Sequence, residues 1–184
     1  SSTSSIILIY ASFKLEATDF ALLGLLSSWI NRSYLIFVSS VKQIVYPILV
    51  DLRNEVKKAH LYVIRNYFTN IIVGVLFCIL SYLISILYFQ KLQNILILYF
   101  TFALLNYSIS PFNDRLKSFG AFDKLLQICL VQGFLALVVF GYIEFLFPHT
   151  PNLNTFLLAL LALGSINHLT VIIFYKHCEK SLFM

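Results

Sequence analysis

The sequence predicts an all-α protein: a polytopic bundle of membrane helices with one partial and five full transmembrane segments. Three observations predict it. Hydrophobic residues make up 60% of the 184-residue chain and charged residues 11%, with Phe (18) and Tyr (11) abundant. A soluble core of this length cannot hide that much apolar surface, so lipid must be the solvent for much of it. The apolar runs are long and continuous, which favours helices over the short alternating segments of a β-barrel. Finally, basic and non-basic connections alternate between the runs, as five crossings require.

The elements follow in order. The opening "SSTSSIILIYASFK" is too short to span and reads as the tail of a helix, residues 1–12, so a piece of a longer transporter is expected. Residues 20–50 form one long segment, 66–89 a second, 94–112 a third, 125–147 a fourth and 154–175 a fifth. Each full segment reaches the ~20 residues that a hydrocarbon core of ~30 Å demands. Pro111 marks a span end and Pro47 a local kink in the long segment.

The connections supply orientation. Arg53, Lys57, Lys58 and Arg65 fall in 51–65, Arg115, Lys117 and Lys124 in 113–124, and Lys176 and Lys180 in the C-terminal tail. The other three connections carry Lys14 with Glu16 and Asp19, then Lys91 alone, then no cation in 148–152. By the positive-inside rule the basic loops and the C-terminus are cytoplasmic. The 51–65 connection is expected to begin as an amphipathic continuation of the long helix, although an ordinary topology-setting loop explains its cations more simply.

The net charge of +5 does not indicate nucleic-acid binding, because its cations lie between apolar runs and form no basic, aromatic-laced patch. Cys78, Cys129 and Cys178 are an odd number without framework spacing and are expected as free thiols. No phosphate-cradling glycine loop, metal-binding pattern or paired carboxylates appear, so neither enzyme chemistry nor a metal site is expected.

The candidate site lies in the segment 20–50. At about 100° per residue, Ser28, Asn31, Arg32, Ser39, Lys42, Gln43 and Tyr46 fall near one meridian, with Gly24 among them. Leu22, Leu23, Leu26, Ile30, Phe37, Ile44 and Ile48 fall opposite, while Leu35 interrupts the polar stripe and Ser33 and Ser40 lie off it. A cation near the bilayer centre costs ~2.5–3.5 kcal/mol on insertion scales. Facing a water-filled cavity, Arg32 and Lys42 would be solvated and would attract an anion. Arg adds a fork of donors suited to phosphate or carboxylate. The cavity is the better reading for Arg32 against an internal ion pair. For Lys42, cavity lining and snorkelling to the headgroups both stand. Asn66 and Asn70, with Ser81 and Ser85, lie along one side of the second segment as weaker candidates. Such groups, like Asn106, Gln127, Gln132, Asn167 and His168, more often join helices by hydrogen bonds. Glu144 reads as wetted at the outer end.

Three stretches carry a family likeness. "YASFKLEATDFALLGLLSS" (10–28) resembles a short outer turn leading into a long helix, and "VKQIVYPILVDLRNEVKKAHLYVIRNY" (41–67) the end of that helix with a charged cytoplasmic connection. "ISPFNDRLKSFGAFDKLLQI" (109–128) is similar to a later basic turn. Together they resemble the polysaccharide (O-antigen-type) flippases of the multidrug/oligosaccharidyl-lipid/polysaccharide exporter superfamily. The resemblance implies two six-helix lobes with a MATE-like fold around a central cavity, and alternating access. It further implies translocation of an undecaprenyl-diphosphate-linked oligosaccharide, with membrane lipids and the remaining half of the transporter as partners. This chain matches about one lobe, and the family's cationic lumen maps onto Arg32 and Lys42. No cofactor is expected, and a Na+ or H+ gradient is left open as the coupling source. Two alternatives compete. A drug/cation antiporter lobe would favour acidic cavity residues, for which only Glu144 presents itself. The other is a non-transporting polytopic protein: a sugar polymerase, which would need a large outer loop with catalytic residues where the outer connections here are short, or a scaffold, for which the stripe would be only a packing surface.

Overall fold

The computed structural model describes residues 9–88, 93–146 and 152–183, and every element among them is a helix. Helix α1 (residues 9–14) bends into α2 (Ala17–Asp51), which runs for 35 residues. A 3-10 turn (Leu52–Asn54) reverses the chain into α3 (Val56–Tyr88). Then come α4 (Gln93–Ser108), α5 (Ser110–Ser118), α6 (Phe122–Leu146) and α7 (Leu153–Phe183). Residues 1–8 of the partial segment, Phe89 and Phe147 at two span ends, Lys91 and residues 148–151 lie outside the described residues.

Local chemistry sets the boundaries. Pro111 has no N–H and its ring crowds the carbonyl four residues earlier, which kinks or breaks a helix; α2 runs on through Pro47, but the chain breaks before Pro111. The chain breaks at Ile109 and restarts with Pro111 in the first turn of α5, where a missing donor costs nothing. Gly120, at φ +73°, ends α5. Its N–H donates to the Lys117 carbonyl (2.9 Å) and the Ala121 N–H to the Leu116 carbonyl (3.0 Å), the pair of bonds that closes a Schellman turn. At the start of α7, Asn152 Oδ1 accepts from the Thr155 N–H (2.9 Å) and hydroxyl (2.8 Å) and so caps the helix.

Among the described residues, four helices are long and apolar enough to cross a membrane: Val56–Leu83, Asn94–Ser118, Phe122–Phe145 and Leu153–Lys180. They correspond to the second to fifth expected spans, with α4 and α5 together forming one. These four come from the described residues, whose side chains are interrupted in the middle of α2. The bundle is apolar outside and holds several polar side chains buried among its apolar cores. Leu126, Leu130, Phe134, Leu137 and Phe145 of α6 are each more than 60% exposed, a ridge at helical spacing. Asn70, Ser81, Ser108, Asp114, Arg115, Ser118 and Asn167 are buried. In water this arrangement would be costly twice over; in lipid it is favourable, and with the four helices it assigns the bundle to a membrane.

The helices α4–α5 and α7 are central, while α3 and α6 are more peripheral. Two apolar cores stack along the bundle. One joins Ala11, Leu23, Leu26, Tyr99, Phe140 and Phe156. The other joins Val45, Leu49, Val63, Phe112, Ile128 and Tyr175. Beside the second core the basic connections meet: Arg53 Nη2 donates to the Phe119 carbonyl (3.4 Å), and His60 Nδ1 lies 2.6 Å from Glu179 Oε1. Beyond the first core, Lys14 pairs with Glu144 (2.5 Å), which also accepts from the Tyr10 hydroxyl (3.2 Å). Glu144 is therefore tied to the turn before α2 rather than merely wetted.

Two segment boundaries need correction. The 51–65 connection does not continue the long helix. It contains the 3-10 turn, and α3 has begun by Val56, with Lys57, Lys58 and Arg65 exposed on its first turns. The third span does not end at residue 112 before an exposed basic loop. The helix resumes as α5, and Asp114 and Arg115 are 2% and 1% exposed. The three cysteines are free, as expected.

Candidate functional site on α2 and α5

The polar stripe of α2 divides between two fates. Ser28, Arg32, Ser39 and Gln43 are exposed, and Tyr46 is 37% exposed. The Ser39 hydroxyl donates to the Ile36 carbonyl of its own helix (3.0 Å). The side chain of Asn31 lies outside the described residues. Arg32 takes part in none of the ion pairs among the described residues.

Lys42 behaves differently. Its Nζ lies 3.2 Å from Asp114 Oδ1, with the ammonium side chain 43% exposed and the carboxylate 3% exposed. Lys42 is held by an acid on a neighbouring helix, and it lines the small recess beside that acid. The cause is a drift of the buried face along α2. Leu23 and Leu26 are buried in its first half, Val45 and Leu49 in its second. These positions differ by roughly a quarter turn at 100° per residue. One edge of the stripe is thereby carried inward at Lys42, and Ile44 on the expected apolar side is 66% exposed.

Asp114 is positioned by α5. Ser110, one turn earlier, donates to Asp114 Oδ2 at 3.3 Å. Oδ1 accepts no hydrogen bond among the described residues, so the nearby ammonium is its compensation. Around the pair lies a shallow recess lined by Val41, Lys42, Val45, Asn70, Ser110, Pro111 and Asp114, with room for about one water molecule. Asn70 is buried at its edge, as a candidate on the inner side of α3 should be. Asn66 instead donates to the Tyr62 carbonyl of its own helix (2.8 Å) and lies half-buried.

Two polar networks flank the recess. Arg115, next to Asp114, donates from Nη1 to the Leu49 carbonyl (3.1 Å) and places its guanidinium carbon 3.7 Å from the Phe119 ring centre. Toward the end of the bundle, the Tyr175 hydroxyl donates to Glu179 (3.1 Å) and lies 3.3 Å from His60 Nδ1. On the other side, His168 Nδ1 lies 2.9 Å from the Leu105 carbonyl. A carbonyl only accepts, so Nδ1 carries the hydrogen and Nε2 accepts from the Tyr67 hydroxyl at 2.8 Å. His168 thus joins α7 to α3 and to the end of α4, the joining role expected of it.

Sequence reasoning missed Asp114 and Arg115 because "NDRLKS" reads as a charged loop. A signal existed: Pro111 opens a helix, Gly120 closes it, and Phe112 and Leu116 fall one turn apart between them as its buried face. Nor is Glu144 the sole acid to weigh, since Asp114 is the buried one. Among the described residues no cluster of side chains is suited to hold a metal ion. Comparison with protein-family models, curated proteins and solved structures finds no match to this chain, so its function is argued from the α2–α5 site itself.

Proposed function

We propose that the chain is one lobe of an alternating-access transporter that moves an anionic, lipid-linked oligosaccharide diphosphate across the bacterial inner membrane, with the basic end cytoplasmic. One observation carries the reading: an exposed arginine half-way along a helix of a membrane bundle. At 1.5 Å per residue, Arg32 lies about 22 Å from Ala17 and about 28 Å from Asp51, the two ends of α2. A guanidinium at that depth requires water or an anion, and Ser28, Ser39 and Gln43 extend a polar track on either side of it. A second lobe facing this track would enclose a cavity, and the Arg fork is suited to a diphosphate. The resemblance of 10–28, 41–67 and 109–128 to flippase segments supports the same reading.

The test is charge reversal. In the full-length protein in cells, Arg32→Glu is expected to lower surface-polysaccharide export at least tenfold, a loss of about 1.4 kcal/mol of anion stabilisation or more. Arg32→Lys should retain part of it. Export unchanged in Arg32→Glu, at normal protein level, would remove the anion-binding role.

A further inference from the structure

We infer that Asp114 is a site for a small monovalent cation, H+ or Na+, which Lys42 occupies in the resting protein and vacates when an anion binds in the cavity. The inference deepens the transporter reading and rests on it for the identity of the anion. Its basis is the asymmetry of the pair. The carboxylate is 3% exposed and fixed on a short helix, whereas the ammonium is 43% exposed on a flexible stem at the edge of the polar stripe. Lys42 can therefore move; Asp114 cannot.

Once Lys42 turns to an anion, the carboxylate is left buried without a countercharge, which is strongly unfavourable. A cation must replace the ammonium. The recess offers the means: Asp114 Oδ1 accepts no other hydrogen bond, and Ser110 and Asn70 line a space with room for about one water molecule. Charge balances in the exchange, since one ammonium leaves the carboxylate and one H+ or Na+ arrives.

Among the described residues the neighbouring charged and titratable groups make their bonds elsewhere. Arg115 of α5 donates from Nη1 to the Leu49 carbonyl and lies over the Phe119 ring, its Nη2 buried without a hydrogen-bond partner. His60 of α3 and Tyr175 and Glu179 of α7 bond one another, as do Tyr67 of α3 and His168 of α7. Lys124 of α6 donates to Gln127. Lys42 is the cation placed to serve Asp114.

The experiment removes the ammonium directly and needs no substrate. Thermal unfolding of the purified protein in detergent is followed for the wild type, Lys42→Met and Lys42→Met with Asp114→Asn. Each is measured in sodium chloride and in choline chloride of equal ionic strength, across mildly acidic to mildly alkaline pH. If Na+ fills the site, Lys42→Met is stabilised in sodium relative to choline. If H+ fills it, Lys42→Met gains stability as pH falls, because the folded state then holds a proton that the unfolded chain releases. The expected shift is roughly 5 °C or more, and it vanishes in the double variant. Insensitivity of Lys42→Met to both ions, or an equal response in the double variant, overturns the cation site. If Lys42→Met does not fold, Lys42→Gln is used.

A second measurement separates this failure from failure of the transporter reading. Inorganic pyrophosphate is titrated calorimetrically in two buffers of different ionisation enthalpy, with and without Na+. Binding accompanied by neither proton uptake nor Na+ dependence overturns the exchange but leaves the anion site standing. Absence of any binding that Arg32→Glu alters counts against the anion site and with it the exchange.

Discussion

At the residue scale, burial rather than charge decides what each cation does. Arg32, Lys42 and Arg115 carry the same sign, yet one is exposed, one shares a buried acid and one is 1% exposed against a carbonyl and a ring. Arg115 suits its place because a planar, weakly hydrated guanidinium can bond a carbonyl and stack on Phe119 at once. Arg115→Ala should cost about 3 kcal/mol, from the lost charged hydrogen bond and the space left in the core. Arg115→Lys should recover only part, since a point charge cannot stack. Thermal unfolding in detergent reads both. Of these three, Arg32 was legible in the sequence because its cost in a bilayer stands out in an apolar run. Arg115 was not, because a charged stretch after a proline has the composition of a loop whether or not it folds back into the bundle.

At the element scale, packing turns on small residues and on a break. A Cβ added at Gly164 of α7 would meet Phe102 Cδ2 of α4 at 3.0 Å and Asn106 Nδ2 at 3.3 Å. Close approach of these central helices therefore favours a small residue here, since Phe102 and Asn106 would have to give way to a larger one. Gly164→Leu is expected to destabilise by about 1–3 kcal/mol, with Gly133→Ala, where nothing lies within 4 Å, as the control near zero. The unfolding midpoint in detergent distinguishes the two. The helices themselves were legible from the length of their apolar runs. Their joints were less so. The break at Ile109 and the restart at Ser110 depend on Pro111, whose effect is local and readable. That α5 turns inward depends on contacts with α2, α3 and α7, which no single stretch encodes. The drift of the buried face along α2 escaped for a related reason, since projection at a fixed angle assumes a straight helix with one constant neighbour.

At the scale of the whole molecule, the alternation of basic and non-basic connections agrees with the tertiary structure. The 51–65 and 113–124 connections meet through Arg53 and Phe119, and the C-terminal end of α7 joins them through His60 and Glu179. The turn before α2 and the end of α6 meet at the opposite end through Lys14 and Glu144. This predicts a labelling pattern. In a background with Cys78, Cys129 and Cys178 replaced by alanine, single cysteines at Lys57, Lys117 and Lys176 should react with a membrane-impermeant maleimide from the same side, which under the proposed orientation is the cytoplasmic one. A cysteine at Glu16 should react in intact cells. Reaction of Lys117 and Glu16 positions from the same side would contradict the arrangement. Sequence could reach this far because loop charge is a property of composition and order. It could not supply the pairing of particular ends, which needs the helices packed.

The Lys42–Asp114 contact has a consequence for biogenesis. A ribosome delivers α2 to the membrane well before α5 exists, so Lys42 enters the bilayer without the carboxylate that later holds it. With its serines, Arg32 and Lys42, α2 is also a long helix that carries charge well inside its length. Its residence in lipid is thus secured only when a helix made much later arrives beside it. Insertion of this protein is in that sense retroactive: the first long segment is provisional until the centre of the chain has followed it in.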